Sequence, residues 1–103
     1  MYARVARFEG GEAEALRRVA KEVNDMGASE GPPPGVPAVG FLMLIDPDSG
    51  RSLGIGLFET EEDLRKGDAA LNDMSPSGPD VGTRTTLEIY EVGADLRMPA
   101  TSA

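Results

Sequence analysis

The chain has 103 residues, with 18 acidic and 10 basic side chains, a formal net charge of −8, and no His, Cys or Trp. This length fits one domain, and the negative charge disfavours binding to nucleic acid. Without Cys and His there are no disulfides, no thiolate or imidazole metal ligands and no Ser-His-Asp triad. No apolar run reaches 18 residues and no signal peptide is recognisable, so we expect no membrane segment, no metal or other cofactor, and a cytoplasmic location.

The first third of the chain predicts a strand, a helix and a connector. Tyr2–Glu9 alternates loosely and carries Tyr, Val and Phe, which is typical of a strand. Glu12–Met26 places apolar residues on one helical stripe, and Gly27 is a candidate stop. The proline-rich segment Gly31–Pro37 cannot be helical. It is interpreted as an exposed connector, with a ligand for a proline-recognising domain as the alternative.

The middle of the chain predicts a β-hairpin. Ala38–Ile45 has no polar side chain, which is typical of a strand buried on both faces. A second strand, Arg51–Glu59, follows the turn formers of Asp46–Gly50. That turn is similar to the start of a calcium loop, but its Gly comes one position early and Leu57 stands where the loop needs Glu. A hairpin turn is therefore the better interpretation.

The last third predicts a second helix and a final strand. Thr60 suits a helix N-cap, and the acidic residues around it favour the helix start over a hard-cation site. Gly67 lies on the inner row of this helix, where it would permit close approach to the sheet. The helix should end at Ser75–Pro79, before a strand over Thr83–Val92. Residues 1–93 then form one domain, and 94–103 a flexible tail.

The order strand, helix, strand, strand, helix, strand predicts an α+β, ferredoxin-like β-α-β-β-α-β fold. Its four-stranded antiparallel sheet would carry both helices on one face. The second face has to be covered as well, because two of the strands are apolar on both sides. A second copy of the chain is the simplest cover, so we expect a homodimer.

The sequence resembles the dimeric α/β-barrel proteins related to antibiotic-biosynthesis monooxygenases. The resemblance covers Met1 to about Val92, and the segments that carry it are Tyr2–Glu9, Pro34-Gly35, Asp46–Gly50, Leu53–Leu64 and Glu88–Val92. It implies a dimer in which two sheets face each other with their helices outside. Members of this family that act as cofactor-independent oxygenases or haem degraders use Trp, His, Asn or Tyr at the site. Trp and His are absent here, so no catalytic residue is assigned.

Alternation along the strands divides the sheet positions into two sets. The apolar set is expected to face the helices and consists of Ala3, Val5, Leu53, Ile55, Leu57, Leu87 and Ile89. The mixed set is expected on the other face and consists of Tyr2, Arg4, Ala6, Gly54, Gly56, Phe58, Glu88 and Tyr90. Apolar walls, open volume and a few polar groups suit a small-molecule site. We therefore predict a binding site in which Arg4 or Tyr90 orients a polar group and Phe58 stacks on a ring.

Two features of the mixed set have a structural alternative. Gly54 and Gly56 would leave either room for a ligand or space for a neighbouring backbone to pack, and packing is favoured. Arg4 could contact a ligand or form an ion pair with Glu88 on the adjacent strand, and the ion pair is favoured.

Three functions remain open from the sequence. The first is a homodimeric protein without enzymatic activity that binds a small apolar or aromatic molecule or serves as an interaction module. The second is a cofactor-independent monooxygenase-like enzyme acting on an aromatic substrate. The third is a purely structural dimer without a pocket.

Overall fold

The computed structural model describes residues 1–29, 35–73 and 81–98. The elements are β1 (Tyr2–Glu9), α1 (Ala13–Ser29), β2 (Gly40–Asp46), β3 (Arg51–Phe58), α2 (Glu61–Asp73) and β4 (Thr83–Glu91). This order confirms the predicted β-α-β-β-α-β arrangement. Residues 31–34 of the predicted connector, the predicted helix stop at Ser75–Pro79 and the last five residues of the predicted tail lie outside the described residues.

The four strands form one antiparallel sheet in the order β2-β3-β1-β4. The first and third strands are therefore central, and the second and fourth lie at the edges. Both helices contact the sheet, α1 chiefly against β2 and α2 against β1 and β3. The ferredoxin-like α+β fold is thus confirmed.

Local signals set most of the element boundaries. The amide of Asp63 donates a hydrogen bond of 3.1 Å to Oγ1 of Thr60, which confirms the predicted N-cap of α2. Helix α1 runs to Ser29, so the stop predicted at Gly27 is wrong. A glycine inside a helix costs only about 1 kcal/mol, which is too little to end a helix that packs on a sheet.

The predicted hairpin is present between β2 and β3. Asp46 pairs with Arg51 in the register, and Gly50 adopts a φ of 74°, a left-handed conformation that favours glycine. An Nη of Arg51 donates to Oδ2 of Asp46 at 3.0 Å, and its Nε donates to Oγ of Ser49 at 2.9 Å. The hydrogen bond from Arg51 lowers the pKa of the Asp46 carboxyl below its ordinary value.

The core under α2 is built around an aromatic ring. Phe58 is fully buried and clusters with Leu64 and Val36. A Cβ added at Gly67 would lie 2.6 Å from Cζ of Phe58, so the helix approaches the sheet more closely than any side chain at this position allows. The close approach expected at Gly67 is confirmed. A second core site lies under α1, where Leu16 is fully buried.

The two faces of the central strands are the reverse of the prediction. Arg4, Gly56 and Phe58 lie on the face that α2 covers, since Arg4 bonds to side chains of α2 and Phe58 packs against Gly67. Positions 3, 5, 53, 55 and 57 alternate with them and therefore point to the other face. The prediction assumed that the most apolar set would face the helices. In the structure the mixed set lies beneath α2, because Gly67 leaves room for the ring of Phe58 and because side chains of α2 bond to Arg4.

None of the helices within the described ranges is long and apolar enough to cross a membrane.

Candidate functional site

Arg4 lies beneath α2 with its charge paired. It is 6% exposed, its Nε donates to Oδ1 of Asp68 at 2.8 Å, and an Nη donates to Oδ1 of Asn72 at 3.1 Å. The same oxygen of Asn72 accepts a 2.8 Å hydrogen bond from Arg84. The predicted pair between Arg4 and Glu88 is wrong, because Arg4 stands opposite Ile89 and Glu88 lies one position along, on the other face.

Phe58 is completely enclosed by the core, so its ring has no face free for stacking on a ligand. The space beside the two strand glycines is also taken. A Cβ on Gly56 would lie 3.1 Å from the ring of Phe58, and one on Gly54 would lie 3.4 Å from the ring of Phe41. The space is thus packed and not open, but aromatic side chains occupy it, so the favoured close approach of a neighbouring backbone is wrong.

Tyr90 lies on the opposite face of the sheet from Arg4 and Phe58. It pairs with Ala3 in the register and is 52% exposed. Its hydroxyl donates a hydrogen bond to Oε2 of Glu88. That hydrogen bond, and then the negative charge of Glu88, raise the pKa of Tyr90 above its ordinary value.

The structure thus does not bring the three predicted binding residues together. The prediction that they share one face is wrong, because β4 pairs with β1 so that Tyr90 and Arg4 alternate in direction. Their individual ligand roles stay predictions. Tyr90 is the one of the three whose side chain is substantially exposed.

The sheet face that carries Tyr90, here called the open face, is apolar in its centre and polar along β4. It comprises Ala3, Val5, Arg7, Gly40, Leu42, Leu44, Asp46, Arg51, Leu53, Ile55, Leu57, Thr86, Glu88 and Tyr90. The described elements place no helix on it. Leu42 is 52% exposed and Leu44 is 49% exposed, which is high for leucines in a sheet.

A shallow cavity of about 240 Å³ lies at one end of the open face. It is lined by the apolar residues Leu44, Ile45 and Leu53 and by the polar residues Arg7, Asp46, Arg51 and Ser52. Arg51 is engaged by the hairpin turn. The sequence analysis did not identify Arg7 as a site residue. Because Arg7 follows Val5 by two positions on an alternating strand, the pattern could have placed its charge on the same face as Val5.

Beside Arg7 the strand pairing is irregular. Arg7 stands opposite Thr86, whereas the next residue, Phe8, stands opposite Arg84. Thr85 is therefore an extra residue on β4, and its hydroxyl donates a long hydrogen bond of 3.5 Å to the carbonyl of Arg7. Such bulges redirect side chains and are frequent next to functional sites.

Acidic side chains do not form a cation site within the described ranges, where no group of three or more Asp or Glu residues is close enough to hold a metal ion. Around the N-terminus of α2, Glu61 pairs with Arg65 and Glu62 with Lys66, each one turn along the helix. These contacts fit the capping interpretation of the acidic cluster.

Comparison with known proteins places the fold. No family model matches the chain, and no curated protein matches it by sequence. Among solved structures, the haem degrader MhuD from Mycobacterium tuberculosis, with two haems bound in its active site, is similar with a TM-score of 0.58 and 19% identity, over 94% of this chain and all of that one. A candidate antibiotic biosynthesis monooxygenase from Deinococcus radiodurans is similar with a TM-score of 0.52 and 14% identity, over 97% of this chain and all of that one. The chain therefore shares the ferredoxin-like fold of these two structures, which confirms the resemblance at the level of fold.

Proposed function

We propose that this protein is a homodimer, joined through its open faces, that binds a small apolar or aromatic molecule and has no catalytic constellation of its own. One observation carries the proposal: an apolar sheet face with half-exposed leucines and a cavity at its end. Large exposed apolar patches on a small domain mark interaction or ligand sites.

A second copy suits the open face for two physical reasons. A domain of this size buries a limited share of its surface, so apolar burial against a partner adds appreciable stability. A two-fold dimer brings the same patch from each subunit into contact, and apolar sheet faces pack on one another at about 10 Å. The cavity would then be closed by the partner's sheet, which would exclude water from a bound molecule.

Native mass spectrometry of freshly purified protein tests both parts in one spectrum. We expect the mass of a dimer, and an added mass where a small molecule is carried through purification. A monomer at micromolar concentration would contradict the proposal.

A monooxygenase-like enzyme is the second candidate, favoured by the Tyr90–Glu88 pair. The phenol of Tyr90, which donates to Glu88, is a hydrogen-bonding group beside the apolar centre of the open face, where it could orient a phenolic substrate. Oxygen uptake with a phenolic substrate, lost in Tyr90→Phe, would support this candidate. If no oxygen is consumed, the binding function is better supported than the monooxygenase function.

Haem chemistry does not fit the residues of this chain. The sequence has no His or Cys to ligate the iron. Tyrosine can serve as a haem ligand, but only as a phenolate, and Glu88 raises the pKa of Tyr90 and so favours its neutral form. The other tyrosine, Tyr2, packs against the core. A cytoplasmic location stays a prediction.

A further inference from the structure

Arg7 is a cation at the wall of the cavity, and its charge acts on Tyr90, whose pKa it lowers against the larger raising effect of Glu88. Within residues 1–29, 35–73 and 81–98 no hydrogen bond or ion pair of its side chain is found, whereas Arg4, Arg51 and Arg84 each donate to a carboxylate or amide oxygen. The nearest acid along the neighbouring strand, Glu88, stands opposite Val5 and accepts the hydrogen bond of Tyr90.

The surroundings of Arg7 combine positive charge with an apolar surface, and the one carboxylate that lines the cavity, Asp46, is paired with Arg51 at 3.0 Å. Leu44 and Leu53 pair across β2 and β3 and line the same cavity. A guanidinium can form two parallel hydrogen bonds with a carboxylate. Arg7 offers this geometry in the cavity, whereas the guanidinium of Arg51 is engaged by the hairpin turn. The cavity volume, about 240 Å³, lies below the roughly 300–1,000 Å³ of drug-sized pockets and suits a ligand of about one ring.

From these observations we propose that the ligand is a small amphipathic carboxylate, whose carboxylate pairs with Arg7 and whose apolar part contacts Leu44 and Leu53. The inference rests on the proposed small-molecule function and names its ligand class. The net charge of −8 makes the local cation more important, because the protein as a whole repels an anion. Affinity should therefore depend strongly on Arg7.

Calorimetric titration of the full chain with phenylacetate and with neutral phenylacetamide tests the ligand class. We expect phenylacetate to bind more tightly than the amide. Arg7→Gln should weaken phenylacetate binding at least about tenfold, in line with the contribution of a charged hydrogen bond, and leave the amide unchanged. Arg17→Gln on the exposed side of α1 is the matched control and should change neither affinity.

Three results would overturn the proposal. Equal binding of the two probes would show that the site does not recognise a carboxylate, and unchanged phenylacetate binding in Arg7→Gln would show that Arg7 does not. If neither probe bound, the proposed ligand class, a small amphipathic carboxylate, would be wrong. Light scattering on Arg7→Gln separates these results from failure of the dimer: we expect a dimer, and a monomer would assign Arg7 to the subunit interface and contradict its ligand role.

Discussion

Gly67 has no side-chain carbon, and this allows α2 to lie against the ring of Phe58. Alanine at this position should add about 1 kcal/mol of helix propensity. Its Cβ would, however, lie 2.6 Å from a ring carbon of the fully buried Phe58, which is closer than a real contact allows. Because overpacking a core costs about 1–3 kcal/mol, we expect Gly67→Ala to lower the free energy of unfolding by about 1–2 kcal/mol in urea denaturation.

The double variant Gly67→Ala/Phe58→Leu controls for the cause of that loss. A smaller side chain at residue 58 makes room for the added methyl group, so the double variant should lose less stability than the sum of the two single variants. A gain of stability in Gly67→Ala alone would show that the ring yields.

The phenol of Tyr90 is the second feature that belongs to the residue scale. Glu88 raises the pKa of Tyr90, so its ultraviolet-detected ionisation should occur at higher pH than that of an ordinary tyrosine, and Glu88→Gln should lower the midpoint. Since the folded-state pKa is the raised one, the contribution to stability is complete below the unfolded pKa and is lost as pH rises through the folded pKa. Tyr90→Phe identifies the transition, because Tyr2 is then the only tyrosine left. A midpoint unchanged by Glu88→Gln would contradict the assignment.

At the scale of elements, a buried charge connects α2 to β1. Asp68 accepts from Arg4 at 2.8 Å, and removing the carboxylate would leave the guanidinium buried with Asn72 alone. Breaking a buried pair costs about 3–5 kcal/mol, and since the Asp68 side chain keeps 28% exposure we expect Asp68→Ala to cost about 2–3 kcal/mol. Asp95→Ala, which removes an exposed pair with Arg97, should change stability by less than about 0.5 kcal/mol. Equal effects of the two substitutions in urea denaturation would show that the buried pair has no special weight.

At the scale of the whole molecule, neighbouring residues of β2 separate the two faces of the sheet. Leu42 and Phe41 have similar exposed fractions, 52% and 48%, but Leu42 lies on the open face and Phe41 on the helix-covered face. If the open faces join two subunits, Leu42→Asp places an unpaired charge in the interface and should give a monomer by light scattering. Phe41→Asp should remain a dimer wherever circular dichroism shows that it is folded. A dimer that persists in Leu42→Asp would place the interface elsewhere.

Local patterns in the sequence determined the order of elements, the hairpin, the cap at Thr60 and the close approach at Gly67. These features depend on residues close together in the sequence, such as turn formers, cap residues and glycine, whose local conformational preferences can be recognised without the rest of the fold. The face of each strand was decided only by the tertiary structure. Alternation shows which residues share a face, but it does not show which face a helix covers, nor the register between β1 and β4. The side chains that bond to the buried Arg4 lie 64 and 68 residues away along the chain, and no local pattern connects them. Arg4 and Phe58 therefore lie in the core, and the open face is left to Arg7 and Tyr90.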